Sequence, residues 1–133
     1  MDFYDFYREL LNKNTLVQKL DFSEQHFDWK VELNPNSSLK ELNLSKMRKE
    51  PFEFDLVFKS LSNIQLRSLD ISSNINSSFE TFSNLNFESL EVLKVNSSYL
   101  GECGMNCIAN APNIIELHLN SKLESSAFNS IFR

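Results

Sequence analysis

Leu66-Arg67-Ser68-Leu69-Asp70-Ile71-Ser72 carries the pattern that organises this chain: three aliphatic residues spaced L-x-x-L-x-L, followed by a small polar residue. The pattern occurs five times, with an aliphatic residue or Phe at every fixed place. The other copies begin at Val17, Leu39, Leu90 and Ile114, so the five starts are 22, 27, 24 and 24 residues apart. Near-constant spacing of this kind indicates an internal repeat, because chance matches would be scattered.

Each copy of the motif predicts a short β-strand, because its last two aliphatic residues alternate with polar ones and would turn one face inward. One such strand cannot bury that face alone. Neighbouring copies are therefore predicted to stack as a parallel sheet over a continuous core. The shared register predicts one buried row, made of Leu42, Leu44, Leu69, Ile71, Leu93, Val95, Leu117 and Leu119.

Helices are predicted between the strands. After Pro51, apolar residues recur at i, i+3, i+4 and i+7, the spacing of one helix face. These residues are Phe54, Val57, Phe58 and Leu61. Residues 79–85 place a Phe and a Leu at the same distances before the next copy of the motif, which predicts an equivalent helix. Further helices are predicted at residues 101–110 and at residues 2–12, ahead of the first strand.

Residues 24–38 interrupt the regular pattern. Residues 29–33 alternate between apolar and polar types, as a strand does. Two interpretations stay open for this segment, a short hairpin or an irregular stretch on the helix side. His26, Phe27 and Trp29 are interpreted as core filling in preference to an exposed aromatic anchor for a partner.

The repeated motif resembles the leucine-rich repeat, and its helix-bearing copies are similar to the ribonuclease-inhibitor and cysteine-containing types. Residues 108–114, Ile-Ala-Asn-Ala-Pro-Asn-Ile, resemble the LA..CPNL stretch that is common in F-box substrate adaptors, without its cysteine. The family usually carries Asn at the ninth repeat position, where the side chain bonds the backbone of the turn after the strand. Only Asn74 fits here, while the other four places hold Gln25, Met47, Ser98 and Lys122.

This resemblance implies an α/β fold, a right-handed solenoid of about five repeats with a parallel concave sheet and convex helices. It implies one domain over residues 1–133, with a leading helix within residues 1–16 and repeats that start at 17, 39, 66, 90 and 114. The last repeat looks incomplete, which predicts either a longer array or self-association through uncapped ends. The family implies binding of another protein, for example as the recognition part of an adaptor such as a ubiquitin-ligase subunit.

The candidate binding residues are those that alternate with the leucines, because they point to the concave face. They form a mildly acidic strip that is rich in hydrogen-bonding groups. Curved solenoids present such extended surfaces for binding, so we predict that this face contacts the partner protein. The residues assigned to it are Asp21, Glu41, Asn43, Asp70, Lys94, Glu116 and His118, with Asp70, Lys94 and His118 at the centre.

The charge balance disfavours nucleic acid and anionic membranes as partners, because the net charge is −5 and the pI is about 5.0. Nucleic-acid binding therefore remains the weaker alternative, and a structural piece of a longer repeat array is another. A secretory signal would need a basic start and an apolar run, which the N-terminus lacks. The chain has two cysteines in all, fewer than the disulfide staples of a secreted domain of this size usually need. We therefore predict an intracellular, cytoplasmic protein.

No catalysis, cofactor or metal site is expected. Cys103 and Cys107 lie one helical turn apart and supply half of the four ligands that a zinc site needs. His118 belongs to a strand, while both cysteines belong to a predicted helix on the other side of the core, so a Cys–His nucleophile pair is not expected. We interpret the two cysteines as packing residues or free thiols.

Overall fold

One β-strand forms on each copy of the motif. The computed structural model describes residues 3–13, 16–26, 29, 38–49, 52–74, 79–96 and 100–120. The elements in chain order are α1 (Phe3–Lys13), β1 (Lys19–Asp21), β2 (Glu41–Asn43), α2 (Phe54–Leu61), β3 (Ser68–Asp70), a single 3₁₀ turn (Phe82–Asn84), β4 (Val92–Asn96), α3 (Gly101–Ala109) and β5 (Glu116–Asn120). Among these described residues no helix is long and apolar enough to cross a membrane.

The five strands form one parallel sheet in the order β1-β2-β3-β4-β5. The central leucines are in register across it, and they are Leu20, Leu42, Leu69, Leu93 and Leu117. The same backbone bonds recur between neighbours: the Lys40 carbonyl accepts the N–H groups of Arg67 and Ser68 at 2.7 and 3.1 Å. The carbonyls of Gln18, Arg67 and Glu91 each accept a corresponding pair. The predicted α/β class, parallel sheet and register are thereby confirmed.

The inward face of the sheet is closed by the predicted aliphatic row. The six members on β2, β3 and β4 and in the residues just after β2 and β3 expose 2% of their surface or less. Leu117 and Leu119 are only half-buried, so the prediction of one uniformly buried row is wrong at this end. The physical reason is that β5 has a strand neighbour on one side only within the described sheet, and its leucines therefore have fewer groups to pack against.

Phenylalanines form the layer that covers the inward face. The rings of Phe54 and Phe58 on α2 meet Phe79 and Phe82 at centroid distances of 5.1 and 5.4 Å. Aromatic contacts at such distances and at steep interplanar angles are favourable beyond the area they bury. Gly104 of α3 lies close against Phe82, since an added Cβ would come within 3.3 Å of that ring. The helical elements therefore stack on one another in the same order as the strands.

The helix predicted at residues 79–85 is wrong in length, because only the single 3₁₀ turn forms there. Asp55 of α2 accepts hydrogen bonds from the backbone N–H and the hydroxyl of Thr81 at 3.2 and 2.7 Å. Ser83 and Asn84, which follow, are poor helix formers. The other helix predictions are confirmed within one or two residues, as α1, α2 and α3.

Trp29 is buried and ties the start of the chain to α2. Its indole N–H donates to the hydroxyl of Ser60 at 3.0 Å, and its ring lies 6.2 Å from that of Tyr7 on α1. The core-filling interpretation is confirmed for Trp29, whereas His26 is exposed. Phe27 and the rest of the segment that alternates like a strand lie outside the described residues, as do residues 121–133 of the last motif.

Asn74 holds two successive turns together. Its side-chain oxygen accepts the backbone N–H of Met47 at 2.9 Å, and its amide group donates to the carbonyls of Leu44 and Ile71 at 3.0 and 2.9 Å. A third acceptor is the Ser72 carbonyl at 3.2 Å. The hydrogen bonding predicted for this asparagine is confirmed, and it extends to the turn of the preceding motif.

The residue at the eighth motif position has a positive φ angle in all three described turns, despite their different ninth residues. Glu24, Lys46 and Ser73 occupy the eighth position of successive motifs, and all three have positive φ angles of 63°, 53° and 57°. Residues other than glycine adopt this left-handed region at a cost of about 1–2 kcal/mol each. Hydrogen bonds around each turn offset this cost. Asn74 supplies such bonds to Met47, which follows Lys46, and to Ser72, which precedes Ser73.

Leu69→Ala is predicted to lower the free energy of unfolding by about 2–5 kcal/mol, because it removes a fully buried side chain from the middle of the row and leaves a cavity. Urea denaturation followed by circular dichroism measures the change. Ile115→Ala is the matched control, since Ile115 is 80% exposed and its truncation should change stability by less than about 0.5 kcal/mol. Equal effects of the two substitutions would contradict the register.

Asn74→Ala is predicted to cost about 3 kcal/mol or more, because it removes the side-chain partner of the Met47 N–H and of the Leu44 and Ile71 carbonyls at a buried position. Asn84→Ala is the control, as Asn84 is exposed in the 3₁₀ turn. Hydrogen exchange should in addition show faster exchange of the Met47 amide in the Asn74 variant. An unchanged Met47 amide would contradict the bridging role.

Candidate binding surface

The side of the sheet opposite the phenylalanine layer carries two rows of mostly polar side chains, and we call this side the open face. The central row is Asp21, Asn43, Asp70, Lys94 and His118. The leading row, two residues earlier in each strand, is Lys19, Glu41, Ser68, Val92 and Glu116. All ten are exposed or half-buried, so the structure places every predicted binding residue on one surface.

The open face is extended and does not converge on a point. Neighbouring parallel strands lie about 4.8 Å apart, so Asp21 and His118, at the two ends of the central row, are separated by about 19 Å. A small ligand cannot reach both ends. Contact with the whole row therefore requires an extended or bulky partner.

Part of the charge on the open face is already paired. Lys19 and Glu41 of the leading row lie 3.0 Å apart, with both side chains substantially exposed. Such exposed pairs usually contribute less than about 1 kcal/mol to stability. Their main effect is to neutralise the β1–β2 side of the leading row.

Three members of the central row hold the turns that follow their strands. Asp21 accepts the Ser23 N–H at 2.9 Å, and Asn43 accepts the Ser45 N–H at 2.9 Å. Asp70 accepts both the N–H and the hydroxyl of Ser72, at 3.0 and 2.6 Å. Side-chain hydrogen bonding from Ser23, and then its backbone N–H, lower the pKa of Asp21 below its ordinary value.

This turn-holding role was not predicted, although the sequence contains a signal for it. Residues 21–23, 43–45 and 70–72 each read Asp or Asn, one apolar residue, then Ser, which is the pattern of a side chain that bonds a backbone N–H two residues ahead. The oxygens engaged in this way are less available to a partner. The contacts of Asp70 establish a role in forming the turn. Its central role in partner binding stays a prediction.

The β4–β5 part of the central row differs, because Lys94 and His118 carry no side-chain carbonyl or carboxylate that could hold a turn. They line a shallow hollow of about 330 Å³ together with Ser72 and Leu119. His118 Nε2 lies 2.8 Å from a carboxylate oxygen of Glu116. This hydrogen bond first, and the charges of His118 and Lys94 second, lower the pKa of Glu116.

The two cysteines lie on α3, away from the open face. Cys103 is exposed and Cys107 is half-buried, and neither forms a disulfide. Burial raises the pKa of the Cys107 thiol, and the nearby Cys103 adds to this rise. A raised pKa leaves less of the reactive thiolate at neutral pH. Within the described residues, no three His, Cys, Asp or Glu side chains converge as metal ligands would.

Compared with known protein families, with characterised proteins and with solved structures, the chain matches none.

Asp70→Asn is predicted to change stability by less than about 1 kcal/mol, because an amide oxygen can still accept the bonds from Ser72. One strand away, the amide oxygen of Asn43 accepts the equivalent backbone bond from Ser45. Asp70→Lys removes the acceptor and should cost about 1–3 kcal/mol. Urea denaturation of both variants measures the difference. If Asp70→Lys were as stable as Asp70→Asn, the turn-holding role would be wrong.

Proposed function

We propose that this chain is a leucine-rich-repeat solenoid that binds another protein along its open face. One observation carries the proposal: each of five copies of the motif forms one strand of an in-register parallel sheet whose one face is covered and whose other face keeps two ordered rows of side chains. Solenoids built in this way use the uncovered face of the sheet for extended contacts.

The connections between strands support the repeat interpretation. Apolar residues of α2, of the 3₁₀ turn and of α3 join the same buried cluster as the inward leucines, so these elements cover the same side of the sheet. The carbonyl positions that accept paired N–H groups recur once per motif. A stack in which each unit contacts mainly its neighbours is the arrangement that internal repeats produce.

The dimensions and charges of the open face favour a protein partner. The central row spans about 19 Å, which suits a stretch of extended polypeptide or the flank of a folded domain. In the central row the acids, Asp21 and Asp70, lie towards β1, and the bases, Lys94 and His118, lie towards β5. Mixed patterns of this kind direct specificity and association rate more than affinity. The net charge of −5 weighs against a phosphate backbone as the ligand.

Site-directed photo-crosslinking tests the proposal. A photoreactive phenylalanine analogue is placed at Ser68 or Val92, adjacent leading-row positions on β3 and β4. The control positions are Glu102 and Asn106, which are exposed on α3. We expect the two open-face positions to capture the same partner from cell extract, with the signal competed by unlabelled chain, and the α3 positions to capture little or none of it.

Capture of one competed partner from Glu102 and Asn106, with none from Ser68 and Val92, would place binding on the helix side and contradict the proposal. Melting curves of the four labelled chains serve as the folding control. Because Ser68 and Val92 are half-exposed and lack the turn-holding bonds of Asp70, the substitutions there should leave the melting temperature close to that of the parent chain.

A further inference from the structure

Two residues that line the hollow, Lys94 and His118, are the members of the central row whose side chains hold no strand turn within the described residues. Lys94 is half-buried on β4, and within the described part of the chain no ion pair involves its ammonium group. Because Lys94 is half-buried, part of its side chain already packs against its neighbours and has fewer conformations to lose on binding. The hollow therefore presents a positioned cation beside an imidazole.

Glu116 shows which chemistry these bases accept. Its carboxylate lies 2.8 Å from His118 Nε2 and close enough to Lys94 for the two charges to attract. An ionised carboxylate can only accept hydrogen bonds, so the imidazole nitrogen that faces it donates. The Glu116 carboxylate thus already accepts a hydrogen bond from His118, one of the residues that line the hollow.

The neighbouring acid does not compensate Lys94 in the same way. Asp70 is next to Lys94 in the central row, but its oxygen Oδ1 is held by the N–H and hydroxyl of Ser72. The Asp70 carboxylate is accordingly directed to the turn. The lysine ammonium retains capacity for another anionic group.

We propose that the Lys94–His118 hollow binds a carboxylate from an acidic side chain of the partner, and that Glu116 competes with it in the free chain. The inference rests on the open face being the binding face, and it names the chemical group received at the β4–β5 end. In the complex, the incoming carboxylate accepts hydrogen bonds from Lys94 and from the imidazole of His118, which bonds Glu116 in the free chain. Charge-assisted bonds of this type are stronger than neutral ones.

The test uses small probes on the whole chain and needs no partner protein. N-acetyl-aspartate N-methylamide is the probe, and N-acetyl-asparagine N-methylamide is the uncharged control of the same shape. The chain has two histidines, so the ring resonances of His118 report on the hollow and those of exposed His26 serve as an internal reference. We expect saturable shifts at His118 with the aspartate probe alone and none at His26.

Matched variants assign the shifts to the hollow. Lys94→Met should weaken aspartate-probe binding roughly tenfold, and Lys94→Arg should retain most of it, because it keeps the charge. Lys19→Met removes a base that is already paired with Glu41 at the far end of the face and should have no effect. Glu116→Gln should tighten binding roughly three- to tenfold, since it removes a competing carboxylate and a like charge.

Equal shifts from the asparagine probe, unchanged binding in Lys94→Met, or weaker binding in Glu116→Gln would each overturn the proposal. A third probe, N-acetyl-glycine, carries a free C-terminal carboxylate. If it bound more tightly than the aspartate probe with the same dependence on Lys94, the site would take a chain terminus and not an acidic side chain. If the aspartate probe does not bind but Ser68 and Val92 still crosslink a partner, protein binding stays supported and only the carboxylate site is disproved.

Discussion

Strands of three to five residues are too short to be stable alone, and this constraint governs the structure. Each strand buries only a few aliphatic side chains, so a strand is stable only when its neighbours continue the same row. The in-register leucines at positions 20, 42, 69, 93 and 117 meet this requirement across the sheet. A shift of one residue in any strand would turn its leucines outward and its polar residues into the core. The register and the buried face therefore depend on each other.

The turns transmit that register from one motif to the next. Glu24, Lys46 and Ser73 share a left-handed conformation that is unfavourable for residues with a side chain, and their strain must be compensated by the bonds around them. Asn74 supplies such bonds to its own turn and to that of Met47. The acid or amide at the end of each of the first three strands supplies another. The open face and the turns are consequently built from some of the same side chains.

This sharing divides the open face into two parts with different freedom. Towards β1 the polar groups hold turns or, as with Lys19 and Glu41, pair with each other. Towards β5, Lys94 and His118 have no turn to hold, and they line a hollow instead. A partner that contacts the first part must accommodate hydrogen bonds that already exist. A partner that reaches the second part meets Lys94, whose ammonium group forms no ion pair within the described residues. It also meets His118, whose only described partner is the exposed Glu116.

The sequence by itself determined the five strands, their parallel order, the inward residues of β2–β4 and the two rows of the open face, because alternation and constant spacing encode which side each residue takes. It also predicted α1, α2 and α3 from apolar periodicity. Only the tertiary structure decided that the segment before β4 shortens to one turn, where Asp55 binds Thr81. The same holds for the half-burial of Leu117 and for the hollow that Lys94 and His118 line together. These outcomes depend on contacts between residues more than twenty positions apart or on the position of a strand at the sheet edge, and a local pattern carries no information on either.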